Sequence, residues 1–348
     1  MTAALPPPAL KRILSTLAVA LAAACCTPVI ASQTEGAGGS DPQLTPHETR
    51  AWLTRIHDAA SHRNFQGTFV VSTGAAVSSS RIAHFCVGSS QFERIESLDG
   101  QMRRVFRHDD VVHTLWPRSR VALVEQRKWV TTFPALLQTG DDRIATFYEV
   151  RSQGAQRLAG RDADVLQLRP KDELRYGYRL WADRQTGLLL RVEVLGERGA
   201  VLESSAFSDL TIGVRAQPDT ILLPMKKLDG YRIVHPALTP AHLGTEGWTL
   251  RQDVPGFEQV DCVRRPLGGG DEGEGMAQVL QAIYSDGLTH VSVFIEPYSP
   301  ARHPAALQVA FGATQTLMRR LGNWWVTVVG DVPAATLHRF AGALEYKR

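Results

Sequence analysis

Cysteine is scarce in this 348-residue chain. Of the four, Cys25 and Cys26 lie in an apolar stretch near the start, which leaves Cys86 and Cys262 far apart in the body. That spacing excludes a zinc site, which wants about four Cys or His ligands in local pairs. In an oxidising compartment the two thiols are able to pair, but the plainer reading is two free, half-buried cysteines in separate domains. An excess of charge is missing too: 38 basic and 35 acidic residues give +3, and the signs are interspersed along the chain. A protein that grips nucleic-acid phosphates shows a basic domain or stripe, so no nucleic-acid partner is expected.

Signatures of chemistry are also absent. There is no Gly-x-Ser-x-Gly elbow and no His-Glu-x-x-His. The glycine-rich stretch Gly268 to Gly275 lacks a following Lys-Ser or Lys-Thr, and its acids would repel phosphate. His108-Asp109-Asp110 with His113 is imaginable as a metal cluster, yet Asp-Asp between two apolar runs reads first as a turn. The expectation is a non-enzyme with neither cofactor nor metal, a hydrolase built on scattered carboxylates being the outside alternative. No apolar run reaches the roughly 20 residues needed to span a bilayer.

What is present begins with an address. Lys11-Arg12, the apolar run Ile13 to Cys26 and the small residues up to Ala31 read as a secretory signal over 1–31, so the protein is expected to be exported. Leu21-Ala22-Ala23-Ala24-Cys25 is a poor lipoprotein box, its leucine one position too far from the cysteine. Residues 32–44 have the composition of a flexible leader. Thr45-Pro46-His47-Glu48 supplies N-cap, N1 proline and capping-box glutamate, and Trp52, Ile56 and Ala59 or Ala60 recur at helical spacing.

From Phe65 the period falls to two, and short strands with even turn signals run to Val124. Between Lys128 and Tyr148 the pattern weakens to apolar islands, read as short helices or a lid over one mouth of a sheet. The clearest stretch is Arg175 to Leu210, three strands joined by Asp183–Gly187 and Glu197–Gly199 into an antiparallel meander. The first domain is placed at 45–213, a connector with Pro218, Pro224 and Pro236 at 214–240, and a second domain at 241–348. In the second, Met276 to Tyr284 and Leu288 to Glu296 form a hairpin. Pro304 to Phe311 is read as a helical turn, and Leu337, Phe340, Ala341 and Leu344 mark one face of a last helix. The fold class is α+β, mostly antiparallel β: a large curved sheet or half-barrel, then a smaller α+β domain.

A long curved sheet with few helices must hide its concave face behind a lid, a partner or a ligand. Phe69, Trp116, Trp129, Phe133, Leu136, Leu137, Tyr178 and Leu180 are the candidate lining of such a lipid-binding hollow, although each alone reads as ordinary core.

Six stretches in order resemble the MucB/RseB family of periplasmic regulators: Asn64–Val70, Ser97–Gly100, Tyr176–Trp181, Thr186–Leu188, Tyr284–Leu288 and Val328–Pro333. The resemblance implies a first domain similar to the lipoprotein carriers LolA and LolB. It implies binding to the periplasmic part of a membrane-embedded anti-sigma factor, protection of it from proteolysis, and release on sensing lipopolysaccharide or the acyl chains of mislocalised lipoprotein. The candidate partner contacts are Arg264, Arg265, Tyr284 and Trp325, charges and aromatic anchors of the kind enriched in hot spots. The runner-up function is a periplasmic lipid or lipoprotein carrier like LolA, and a homo-oligomer is left open.

Overall fold

The computed structural model describes residues 41–126, 133, 143–266, 278–303 and 305–347. The expected signal peptide, most of the leader, and the glycine-rich acidic stretch therefore lie outside the described residues.

Helix α1 (Pro46–His62) starts where its capping box demands. The Glu48 N–H donates to Thr45 Oγ1 at 3.3 Å, and the Thr45 N–H donates back to the Glu48 carboxylate at 2.8 Å. Its buried face carries Leu53, Ile56, Ala59 and Ala60. Six strands follow as a meander: β1 (Phe65–Thr73), β2 (Ala76–Val87), β3 (Ser90–Ser97), β4 (Arg104–His108), β5 (Val111–Trp116) and β6 (Val121–Gln126). A short helix, α2 (Arg143–Phe147), leads into β7 (Tyr148–Leu158), β8 (Arg161–Pro170), β9 (Gly177–Asp183), β10 (Leu189–Leu195) and β11 (Val201–Ile212). Then come α3 (Asp219–Lys226) and β12 (Arg232–Val234).

These strands make one open sheet in the order β12-β6-β5-β4-β3-β2-β1-β11-β10-β9-β8-β7. It is two meanders joined where β11 returns beside β1, with Phe65 opposite Ile212. The pairing is close: a Cβ on Gly67 would collide with the Asp209 carbonyl oxygen. Asp183 shapes the β9–β10 turn, its Oδ1 accepting from the Thr186 N–H at 2.7 Å and its Oδ2 from Arg161 Nε at 2.6 Å.

Both faces of this sheet are covered in part. α1 and α2 pack on one side against Phe65, Phe69 and Ile82, while Ile221 and Met225 of α3 pack on the other against Phe85, Phe92 and Phe106. The single-layer sheet expected from the sequence is thus sandwiched. The stretch 214–240 is also more than a connector. Its three prolines mask a helix and a strand that belong to the first sheet, and only residues 235–238 lie between β12 and the next strand.

The second lobe comprises β13 (Thr239–Pro240), β14 (Trp248–Leu250), β15 (Glu258–Pro266), β16 (Gln278–Ser285), β17 (His290–Pro297), β18 (Leu307–Phe311), β19 (Thr314–Leu321), β20 (Trp324–Gly330), α4 (Ala334–Ala343) and β21 (Leu344–Tyr346). Seven of its strands form a sheet in the order β13-β15-β16-β17-β20-β19-β18, and β14 pairs with β21. Leu337, Phe340 and Ala341 of α4 fill the face lined by Val291, Val293 and Val328. Among the described residues every strand pair is antiparallel except β12 with β6, which makes the fold α+β and mostly antiparallel, as expected. Among the described residues no helix is long and apolar enough to cross a membrane.

Candidate functional site

Four of the eight candidate lipid residues come together. Phe69 on β1, Tyr178 and Leu180 on β9, and Phe133 are buried in one cluster with Leu53 and Ile56 of α1. The Phe133 ring centroid lies 5.7 Å from Phe69 and 5.0 Å from Phe207, so around these four the concave side is filled by the protein's own rings. Trp116 is not among them. It is half-buried at the end of β5, four strands from β1, about 19 Å at ordinary strand spacing. Trp129, Leu136 and Leu137 lie outside the described residues.

The lobes are joined by an exchange of side chains. Leu288, in the turn between β16 and β17, is buried in the core of the first lobe. In return Arg175, before β9, enters the second lobe, where its side chain is fully buried beside the equally buried Asp286. Its Nε lies 3.6 Å from Asp286 Oδ2 and 3.5 Å from Asp172 Oδ1, and its Nη2 donates to the Pro255 carbonyl at 2.7 Å. Among the described residues neither Nε nor Nη1 has a hydrogen-bond partner, so those carboxylates balance the guanidinium by charge. The cation also lies 4.3 Å from the Phe147 ring centroid and 5.2 Å from that of Phe257. Asp286 Oδ1 accepts from the Leu288 and Thr289 N–H groups, and Oδ2 accepts from the Tyr148 hydroxyl at 3.2 Å. Burial, and then the charge of Asp286, push the Tyr148 and Tyr178 hydroxyls well above their usual range, so both stay protonated.

The four candidate partner residues do not form one surface. Arg264 and Arg265 are exposed on β15, but Arg264 is held by both carboxylate oxygens of Glu246, and Arg265 donates to Gln281 at 3.2 Å. Tyr284 is 5% exposed and faces inward, its ring 4.9 Å from that of Phe340. Trp325, also 5% exposed, lies on the opposite face of the sheet, stacked on His303 at 4.8 Å. Both aromatics are packing residues, the bland alternative that their composition had left open.

A different surface went unread. β18 is the sheet's edge strand, and Leu307, Val309 and Phe311 on it are 51%, 46% and 66% exposed. These three alternate with Gln308, which is bonded to His338 of α4, so they lie on the face turned away from that helix. The turn after Phe311 reaches the first lobe: a Cβ on Gly312 would strike the Thr73 side chain and approach the Leu202 carbonyl oxygen. The signal was the alternation Leu-Gln-Val-Ala-Phe, obscured by the preceding proline that suggested a helical turn.

The model of the MucB/RseB N-terminal domain matches residues 48–225 and that of the MucB/RseB C-terminal domain matches 242–345. The chain belongs to the MucB/RseB family. Sigma factor AlgU regulatory protein MucB of Pseudomonas aeruginosa is 32% identical over 306 residues, 86% of this chain and 92% of the relative. Sigma-E factor regulatory protein RseB of Escherichia coli is 25% identical over 299 residues, 85% of this chain and 90% of RseB. The Pseudomonas aeruginosa MucA/MucB complex superimposes with a TM-score of 0.66 at 27% identity, covering 86% of this chain and 99% of the other. MucB in complex with MucA(peri) gives 0.64 at 28% identity, covering 86% and 98%. The MucB/RseB N-terminal match ends inside α3, in keeping with that helix packing on the first sheet.

Proposed function

We propose that this protein is a periplasmic regulatory binding protein, without catalytic activity, that holds the periplasmic part of an anti-sigma factor and shields it from proteolysis. The observation that carries the reading is membership of the MucB/RseB family along both lobes, together with a relative found in complex with MucA(peri). The exposed edge strand β18 supports it physically. An extended peptide laid along a free sheet edge gains backbone hydrogen bonds and apolar contact from alternate side chains. Titration of the purified protein with the periplasmic segment of its anti-sigma factor is expected to show saturable one-to-one binding. Phe311→Glu with Leu307→Glu is expected to weaken it about tenfold or more, roughly 1.4 kcal/mol. Absence of binding by the parent protein would overturn the function, whereas unchanged affinity in the double variant would overturn only the edge-strand site.

Release on acyl-chain binding is the finer part of the proposal; membership of the MucB/RseB family is what supports it, because the cluster of Phe69, Phe133, Tyr178 and Leu180 is already packed. A full switch from bound to free needs about 5.5 kcal/mol of differential affinity, which about seven buried methylenes would supply. The chain would have to displace Phe133 or α1 to reach that cluster. Adding lipid A or a triacylated lipopeptide to the complex is expected to free the peptide, and a peptide that stays bound would refute the coupling.

A further inference from the structure

β2 and β3 carry a group of titratable side chains outside the edge strand proposed for peptide binding. His84 is buried, its ring stacked on Phe65 at 5.2 Å and 12°. Its Nδ1 lies 3.4 Å from Glu93 Oε2, an ion-pair distance without hydrogen-bond geometry, and its Nε2 lies 3.5 Å from Cys86 Sγ. Strand geometry sets this up: His84 and Cys86 are two residues apart and share a face, and Glu93 stands directly opposite His84 in the antiparallel register. Burial is the largest influence on the imidazole and disfavours its charge. The neighbouring Glu93 carboxylate and Cys86 sulfur outweigh it and raise His84 to about 9.

Cys86 as a residue is half-buried, not sealed in the core. Its S–H donates to the Ser61 carbonyl at the end of α1, 3.0 Å away. Gln91 Nε2 donates to the same carbonyl at 3.2 Å, so that oxygen keeps a partner when the thiol loses its proton. The Cys86 N–H is tied to Asn64 Oδ1 at 2.8 Å, which fixes where the side chain starts. A partly exposed cysteine beside a cation that a carboxylate orients is the arrangement that makes cysteine nucleophilic. Cys262 has none of this: it is buried, and burial pushes its thiol up to about 11.

We propose that Cys86 is a reactive thiol, its thiolate stabilised by His84 and His84 positioned by Glu93, and that it exchanges with low-molecular-weight disulfides. The thiol proton passes to water, and the thiolate attacks one sulfur of the small disulfide. The Cys86–sulfur bond forms as the S–S bond of the reagent breaks, and the departing thiolate takes a proton from water. The products are a mixed disulfide on Cys86 and one small thiol, with no outside oxidant.

The test uses the full chain from residue 32 onward and the aromatic disulfide 5,5′-dithiobis(2-nitrobenzoate) at neutral pH. One thiol per folded chain is expected to react rapidly and to be lost in Cys86→Ser, with Cys262 reacting only in denaturant. His84→Gln is expected to slow the reaction about tenfold, and Glu93→Gln to slow it by less. Glutathione disulfide should leave an adduct on the Cys86 peptide by mass spectrometry. Equal rates in the parent and a folded His84→Gln variant, or no reaction before unfolding, would overturn the proposal. If His84→Gln does not fold, both thiols react at once, and Glu93→Gln with an unchanged far-UV spectrum decides: a parental rate then overturns it.

Discussion

Asp286→Asn tests whether a buried charge pair holds the two lobes together. Asparagine keeps the turn, because its side-chain oxygen still accepts from the Leu288 and Thr289 N–H groups, each 2.9 Å from Asp286 Oδ1. What it removes is the carboxylate facing Arg175, and its amide then presents a donor to a guanidinium and a tyrosine hydroxyl that are donors already. Breaking one half of a buried pair costs about 3–5 kcal/mol, because the remaining charge is left in a poor solvent. Asp172, partly exposed at 3.5 Å from Arg175 Nε, retains some compensation, which places the expected loss near the lower figure, about 3 kcal/mol. Arg175→Met on top of Asp286→Asn removes the stranded cation, and the double variant should recover about half of that loss or more. The assay is urea unfolding followed by tryptophan fluorescence at one protein concentration. The two single variants and the double complete the cycle. If Asp286→Asn alone stays within about 1 kcal/mol of the parent, or the double variant falls by the sum of the singles, the pair does not hold the lobes as described.

Two further outcomes follow from local chemistry. His84 is raised from its ordinary 6.5 to about 9, so its contribution to stability is complete below pH 6.5 and is lost as pH rises toward 9. Thermal unfolding between those values should show a decline worth a few kcal/mol at most, and His84→Gln should flatten it. Gly256 has φ +80°, and a Cβ there would meet Arg175 Nη2 and Phe147 Cε2 at 2.8 Å. Gly256→Ala is therefore expected to cost about 2 kcal/mol or more in urea unfolding, while Gly199→Ala, with open space around its Cβ, should lose only its backbone strain of about 1 kcal/mol.

Local signals carried much of the fold into view. The capping box at Thr45, the turns at Asp183 and Ser285, and the alternation from Phe65 onward each depend on neighbours within a few residues, which is where sequence patterns have force. What the pattern hid depends on distant partners. Three prolines in 214–240 suggested a connector, yet Ile221 and Met225 find an apolar seat on Phe85 and Phe106 that no local rule reveals. Tyr284 and Trp325 looked like anchors because aromatic composition is shared by cores and interfaces. Only the face each occupies separates the two, and both turn out to be packed. For the lipid candidates, Phe69, Phe133, Tyr178 and Leu180 were recognisable as apolar, but strand order decides who meets whom. That order put Trp116 four strands away from them along the sheet.

The pairing of β1 with β11 sets a schedule on how the first lobe is made. Phe65 waits for Ile212, and every residue between them must be synthesised before the middle of the sheet has both its neighbours. Two half-sheets can zip locally, but the seam between them closes late and at the entropic cost of a very long loop. A chain cut short before β11 would keep the apolar edge of β1 bare, ready to pair with whatever extended segment came first.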